Sequence, residues 1–321
     1  MKTICIIGAG QIGSRHLQAL ALLKFKVKIF VFDVSNDTLQ IAKQRYLEIN
    51  QDDGMVEYTT DFSLMPKQVD IAIIATDANS RYEVINRLLE SSKVKYIILE
   101  KMVFNDINCF EPTLQLFKKM KVSAYVNCTR RAQAIYQEIA KLLKGKKILF
   151  FEVHGNSINL GCNAIHYLDL FEFISEQKIV DLNIQFLNQG FSQSKRKGYL
   201  EFSGAILGCS NNGSQLLIND IDSQEERDAE IKIISEAGTI FVNETKKTAE
   251  LLLKDNKWAK REVTFEIKFQ SQLTDIVVEH LLSEGSCELT PFEDSINNHK
   301  ILIEAFAEHL GQADKSKCLI T

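Results

Sequence analysis

Over roughly its first 126 residues the chain alternates short strand-like runs, rich in apolar residues, with stretches in which apolar positions recur at helical spacing. These strands are expected at 4–7, at a segment ending on Asp33, at 55–60 with alternating character, at 71–75 as a continuous apolar run, and at 96–99 and 123–126. Helices are predicted to start near Gly13 and to cover 38–46, 81–90 and 110–120. Continuous rather than alternating apolarity marks strands covered by helices on both faces, which are the strands of a parallel sheet. Regular β-α alternation of this kind predicts a doubly wound α/β Rossmann domain. From about Lys146 the pattern changes. Segments of alternating character at 148–153, 180–186, 200–207, 215–221, 230–235 and 239–242 predict an α+β domain built on a mostly antiparallel, open-faced sheet. One helix, 163–174, interrupts these strands, and helices at 271–282 and 291–309 close the chain, the last opening on Thr290-Pro291 with Glu293 in its first turn. The expected division is a nucleotide-binding domain over 1–126 and a substrate-binding and oligomerisation domain over 127–321, with helix 291–309 packing back on the first. No linker separates the two, so direct packing with a cleft between them is expected.

Composition narrows the class. The 321 residues are 45% hydrophobic and 25% charged, as in an ordinary globular protein. A formal net charge of −4 and a pI near 5.9 argue against a nucleic-acid partner. No apolar run is long enough to span a membrane, and the N-terminus enters a strand directly, so a cytoplasmic protein is expected. The seven cysteines (Cys5, Cys109, Cys128, Cys162, Cys209, Cys287, Cys318) are scattered and never in C-x-x-C spacing, which predicts small buried apolar residues rather than a disulfide frame or a metal site.

The first apolar run feeds into Gly8-Ala9-Gly10-Gln11-Ile12-Gly13, a G-x-G-x-x-G loop. Gly8 allows the tight turn, Gly10 lets main chain approach a pyrophosphate, and Gly13 lets the helix pack closely on the strand. The N–H groups of that helix, beginning with Gln11 and Ile12, aim at the phosphates. Asp33 follows Gly13 by twenty residues, where a carboxylate accepts hydrogen bonds from an adenosine ribose. This favours NAD. The segment Val34-Ser35-Asn36-Asp37 supplies no cation for a 2′-phosphate, which disfavours NADP. Thr76 and Glu100-Lys101 also stand at strand carboxyl ends, and with Asp33 they converge on one crevice.

Hydride exchange with an alcohol carbon needs a group that manages the hydroxyl proton. Lys101 ends an apolar strand, where a lysine either faces a cavity or is solvated in the following loop. His166 shares a helix face with Asn163 and Asp169, either as a polar stripe toward substrate or in a satisfied structural role. In the basic loop 194–199, Lys195 and Arg196 are candidates for an anionic substrate group, against the plainer reading of a solvated turn. Asn127, Arg130 and Arg131 are candidates for polar contacts at the cleft. Arg81 is expected to face solvent.

At these residues the chain resembles the glucose-fructose oxidoreductase, inositol dehydrogenase and MocA (Gfo/Idh/MocA) family. The matching pieces are Gly8 to His16, Ile73-Ile74-Ala75-Thr76, Glu100-Lys101 and His166-Tyr167-Leu168-Asp169. The resemblance implies an N-terminal Rossmann domain joined to an open-faced sheet domain, with Lys101 and His166 meeting at the nicotinamide. It also implies an aspartate where this chain has Cys162, and prolines where it has Met102 and Asp77. The activity implied is NAD(H)-dependent hydride transfer to or from a secondary alcohol of a sugar, cyclitol or sugar derivative, including those of surface-polysaccharide metabolism. Reduction of a C=N or conjugated C=C bond, and an inactive NAD-binding sensor or regulator, are the alternatives. A sheet with one helix-free face further predicts a homodimer or homotetramer.

Overall fold

The computed structural model describes residues 1–221 and 228–321, and the chain divides into two units. The first comprises Met1–Phe104, Asn108–Asn127 and Lys268–Ser295; the second comprises Asn105–Ile107, Cys128–Ile267 and Ile296–Thr321.

The continuous apolar runs become the parallel sheet of the first unit. Its strands are β1 (Lys2–Ile7), β2 (Val27–Phe32), β3 (Val56–Thr59), β4 (Gln68–Ile74), β5 (Lys93–Leu99) and β6 (Ser123–Val126), in the order β3-β2-β1-β4-β5-β6. This is the doubly wound order, whose reversal between β1 and β4 opens a crevice at the strand carboxyl ends. Ile4, Ile6, Ile7, Ile71, Ile73, Ile74 and Ile97 are completely buried, each contributing about 1.5–3 kcal/mol of burial. The connecting helices are α1 (Gln11–Leu20), α2 (Asn36–Leu47), α3 (Arg81–Ser91) and α4 (Phe110–Met120). Ser35 caps α2 by accepting from Thr38 N at 3.3 Å, and Asp37 complements the positive end of the helix dipole. At α4 the helix stops at Lys121, whose φ of 56° is left-handed.

In the second unit, α5 (Ala134–Leu143) is followed by β7 (Ile148–Gly155), α6 (Leu160–Ser175) and β8 (Ile179–Leu187). Then come β9 (Ser192–Gln193), β10 (Leu200–Glu201), β11 (Gly204–Ser210), β12 (Gln215–Asp220), β13 (Glu230–Ser235), β14 (Gly238–Asn243), β15 (Thr248–Leu253) and β16 (Lys260–Thr264). Eight of them form a sheet in the order β16-β15-β14-β13-β7-β12-β11-β8, in which only the β7–β12 pair is parallel. Alternation gives this sheet two different faces. Phe151, Val153, Ile218, Ile231, Ile233 and Ile240 are buried, and Phe151 meets Phe171 of α6 edge-on. Glu152, His154, Glu230, Lys232 and Glu250 line an open concavity of about 430 Å³.

The strand expected over 200–207 is broken. Phe202 and Ser203 leave the ladder and Gly204 takes φ of 96°, where an added Cβ would lie 2.5 Å from Phe186 O, so β10 pairs with β9 and β11 starts afresh. The helix α5 and the strands β15 and β16 were not evident in the apolar pattern.

The chain then returns to the first unit. The helix expected from 271 begins instead at Thr274, after a tight turn at Gln270–Gln272, as α7 (Thr274–Ser283). Thr290–Pro291 adds an antiparallel pair to β6, and α8 (Phe292–His309) begins in the first unit and continues in the second. Phe292 closes an aromatic cluster with Phe104, Phe110 and Phe117, ring centroids 5.2–6.4 Å apart.

Three cysteines, Cys5, Cys128 and Cys318, are buried as expected; Cys109, Cys162, Cys209 and Cys287 are only half-buried, because they sit in turns, at a helix start or on the sheet face. None is in a disulfide. Among the described residues no helix is long and apolar enough to cross a membrane.

Candidate active site

The glycine loop in the first unit is shaped by contacts that exclude side chains. Gly8 has φ of 91°, and a Cβ there would meet Thr76 N at 2.8 Å and Ala75 C at 2.9 Å. A Cβ on Gly13 would lie 1.8 Å from Gly8 O. At Gly10 it would meet nothing within 4 Å, so the main chain there borders open space. No side chain caps α1, whose first N–H groups, including those of Gln11 and Ile12, are left for an anion. Asp33 stands at the end of β2 and accepts Ala9 N at 2.7 Å and Ser35 N at 3.0 Å. Two main-chain donors thus fix the carboxylate, which has lone pairs to spare for a diol. Thr76 Oγ1 is buried and has no protein hydrogen-bond partner. Such an atom at the carboxyl end of β4 fits a ligand that supplies the missing contact. These residues fit a dinucleotide. Arg45 of α2 buttresses the loop, donating to Ser14 Oγ at 2.5 Å and Gln11 Oε1 at 2.8 Å, a role with no motif to announce it.

The Glu100-Lys101 pair leaves the end of β5 in the same crevice. Glu100 is buried and Lys101 half-buried. Glu100 Oε1 accepts from His16 Nε2 at 2.8 Å and from Asn127 Nδ2 at 2.5 Å. His16 Nδ1 lies 2.8 Å from Thr274 Oγ1 and 3.3 Å from Gln270 Nε2, and Asn127 Nδ2 also reaches Gln270 Oε1 at 2.7 Å. A carboxylate only accepts, so Nε2 carries the proton in this pair. Asn127, singled out as a substrate contact, is thereby engaged in holding Glu100. His16, Gln270 and Thr274 are the other participants, and the last two come from the far end of the chain, where sequence carried no signal.

Burial alone would raise the Glu100 carboxyl, but the hydrogen bond and charge of His16, the Asn127 amide and the charge of Arg81 outweigh it and hold the group below the ordinary carboxylate range. A depressed folded-state pKa contributes stability that is present above the unfolded value and is lost as pH falls through the folded value. Glu100→Gln is therefore expected to be less stable than wild type at neutral pH and to show a flatter acid limb in thermal melts from pH 7 to pH 3. Equal acid sensitivity in the two proteins would contradict this.

Arg81 does not face solvent. It opens α3 fully buried, with Nη1 donating to Glu100 O at 2.6 Å, to Met102 O and to Val103 O at 2.8 Å, and Nη2 donating to Thr76 O. Main-chain carbonyls at two strand ends replace water around the guanidinium, which no local pattern in the sequence reveals.

In the second unit α6 carries Asn163, His166 and Asp169. His166 and Asp169 are buried, and Asp169 pairs with Arg131 at 3.4 Å. Asn163 Nδ2 donates to Ile158 O at 2.7 Å. The start of α6 is held by two buried carboxylates: Asp220 accepts from Asn159 N at 2.8 Å and Glu201 from Cys162 N at 3.2 Å. Arg130 makes a two-pronged pair with Glu244, both contacts at 3.1 Å, and donates to Tyr167 Oη at 2.9 Å; Tyr136 Oη donates to Glu244 at 2.6 Å. Burial, then the charge of Glu244, pushes the Tyr136 hydroxyl well above its ordinary range, and burial likewise raises that of Tyr167. Both hydroxyls remain protonated at neutral pH, Tyr136 as the donor to Glu244. Lys195 and Arg196 are exposed, and Arg196 Nη1 donates to Thr321 Oγ1 at 2.8 Å.

Residues 2–128 match the family model described as an oxidoreductase family with an NAD-binding Rossmann fold, GFO_IDH_MocA. Over this N-terminal span, less than half of the chain, it is similar to that family of NAD-binding oxidoreductases. The whole fold is shared with an Agrobacterium radiobacter oxidoreductase solved with NAD+, L-tartaric acid and magnesium, at a TM-score of 0.76, 15% identity and 96% coverage of each chain. It is shared also with the UDP-N-acetylglucosamine 3-dehydrogenase GnnA of Acidithiobacillus ferrooxidans, at 0.73, 14% identity and 97% of each chain. A super-repressor mutant of Gal80p from Saccharomyces cerevisiae is similar at 0.74, with 14% identity and 98% of each chain. At such identities the likeness is one of fold. No curated protein matches this sequence.

Proposed function

We propose that the protein is an NAD(H)-dependent oxidoreductase that moves hydride between nicotinamide and a secondary alcohol of a sugar, cyclitol or sugar derivative. The observation that carries this reading is the Glu100-Lys101 turn, which holds a half-buried lysine at the carboxyl end of β5, in the crevice bordered by the glycine loop and Asp33. When bound, the nicotinamide supplies the hydride acceptor or donor at its C4. Gly10, Gln11 and Ile12 present main-chain N–H groups to the pyrophosphate, Asp33 accepts the ribose hydroxyls, and Thr76 Oγ1 gains its missing partner. Lys101 orients and polarises the reacting oxygen. His166 takes the hydroxyl proton in oxidation and returns it in reduction, exchange of these two roles being equally compatible with the residues. Asn163, Asp169, Lys195 and Arg196 are the substrate-side candidates of the second unit. Arg196, exposed beside Thr321, suits an anionic group.

NAD rather than NADP is the cofactor of this proposal, because Asp33 would repel a 2′-phosphate. Asp33→Ala is expected to weaken NADH binding by roughly 10- to 100-fold, the loss of a charge-assisted hydrogen bond, and to weaken NADPH less. Wild type binding NADPH more tightly than NADH in fluorescence titrations would overturn the assignment.

A cofactor-binding regulator is the second reading. Cys162 stands where the family resemblance implies an aspartate, and the fold is shared with a super-repressor form of Gal80p. Turnover separates the two. Wild type would be mixed with NAD+ or NADH and myo-inositol, UDP-N-acetylglucosamine, L-tartrate and related sugars and sugar acids, following nicotinamide absorbance. Tight cofactor binding with no turnover on any of them favours the regulator.

We also propose a homodimer or homotetramer formed through the open sheet face, supported by the exposed Phe241 beside the polar concavity. Light scattering showing a monomer at micromolar concentration would refute it. That no cysteine is in a disulfide supports a reducing, cytoplasmic setting.

A further inference from the structure

Arg81 is a buried cation, and the acceptors of its two terminal nitrogens are unusual in their arrangement. They are Thr76 O, just past β4, and Glu100 O, Met102 O and Val103 O, just past β5. Lys101 lies between two of these carbonyls. The strands end side by side in the sheet, Ile74 opposite Leu99, so the guanidinium bridges the two turns that border the crevice. A planar fork with several fixed donors can serve carbonyls diverging from two strands; a single ammonium cannot. The side chain of Glu100 is anchored separately by His16 and Asn127. Main chain and side chain of the residue before Lys101 are thus both held, and the carbonyl after it is held as well.

We propose that Arg81 is a positioning residue for Lys101: by gripping the carbonyls on either side, it fixes the main chain from which the Lys101 ammonium is presented. The proposal rests on the reading of Lys101 as the group that orients the reacting oxygen. It assigns Arg81 no contact with substrate or cofactor. Its consequence is a rate effect, because displacing a catalytic group by about 1 Å costs on the order of 10²-fold in turnover.

The test follows Lys101 directly. Lysines are dimethylated with [13C]formaldehyde, and the Lys101 resonance is assigned by its loss in Lys101→Met. In Arg81→Lys and Arg81→Gln the Lys101 signal is expected to move and kcat to fall about 10²-fold, a larger change than any in NADH affinity. Ile85→Ala, a buried change one turn along α3, serves as the stability control and is expected to leave the Lys101 signal in place. In wild type the Arg81 Nη protons are expected to exchange slowly with solvent, a measurement that does not depend on the variants folding. A Lys101 signal in both Arg81 variants that superimposes on wild type, or that moves no more than in the control, would overturn the proposal, as would fast-exchanging Arg81 Nη protons. Should Lys101→Met keep its turnover, the functional reading fails instead, while the resonance comparison still decides whether Arg81 positions the lysine.

Discussion

Replacing Lys101 with methionine is expected to abolish turnover while leaving the dinucleotide bound. The two side chains are similar in length, and Lys101 is half-buried, so the change removes a charge and a donor without opening a large cavity. The fold should survive, because what holds the turn is elsewhere: His16 and Asn127 on the Glu100 carboxylate, and Arg81 on the carbonyls. What is lost is the group that polarises the reacting oxygen, a contribution of about 10²- to 10⁴-fold in kcat. NADH titration by fluorescence checks that binding persists, and stopped-flow absorbance gives the rate. A kcat within a few-fold of wild type would show that another group does this work.

Gly13→Ala is expected to have the largest effect on the cofactor site. The new methyl would lie 1.8 Å from Gly8 O, which is main chain with no flexible end to move aside. Either α1 retreats from β1 or the loop opens. Overpacking of this kind costs about 1–3 kcal/mol or more, and the displaced N–H groups no longer converge on phosphate. Lost NADH binding together with a lowered Tm is the expected result. Gly10→Ala is the informative contrast. Its methyl meets nothing within 4 Å, so the melting temperature should hold, while NADH binding should weaken because the methyl enters the space the pyrophosphate needs. If Gly13→Ala bound NADH normally, the close approach of loop and helix would not be required for binding.

Much of the first unit was legible because physical constraint there is local. Strands covered on both faces must be apolar throughout, which is what 4–7, 71–75 and 96–99 display. The glycine loop was legible because its turn and close contacts tolerate no side chain at Gly8 or Gly13. The second unit was read in outline from alternating apolarity. Its edge escaped notice, since β16 carries Lys260, Arg261 and Glu262 and an edge strand needs only one buried face. Arg81 was misread for a different reason. An arginine at a helix start is ordinarily solvated, and here its burial depends on carbonyls at Thr76, Glu100, Met102 and Val103 whose convergence only the folded chain creates. Gln270 and Thr274 were invisible for the same cause, being more than 250 residues from His16 in sequence. Around Glu100 the sequence named the residue, and the fold supplied its partners.

Hydride transfer is tested most directly by the nicotinamide absorbance of purified protein, followed with NAD+ or NADH against a panel of sugars, cyclitols, sugar nucleotides and sugar acids. Turnover with at least one of these is expected in wild type, lost in Lys101→Met and in His166→Ala while NADH remains bound. Turnover undiminished in both variants, or bound cofactor with no turnover on any compound, would contradict that expectation.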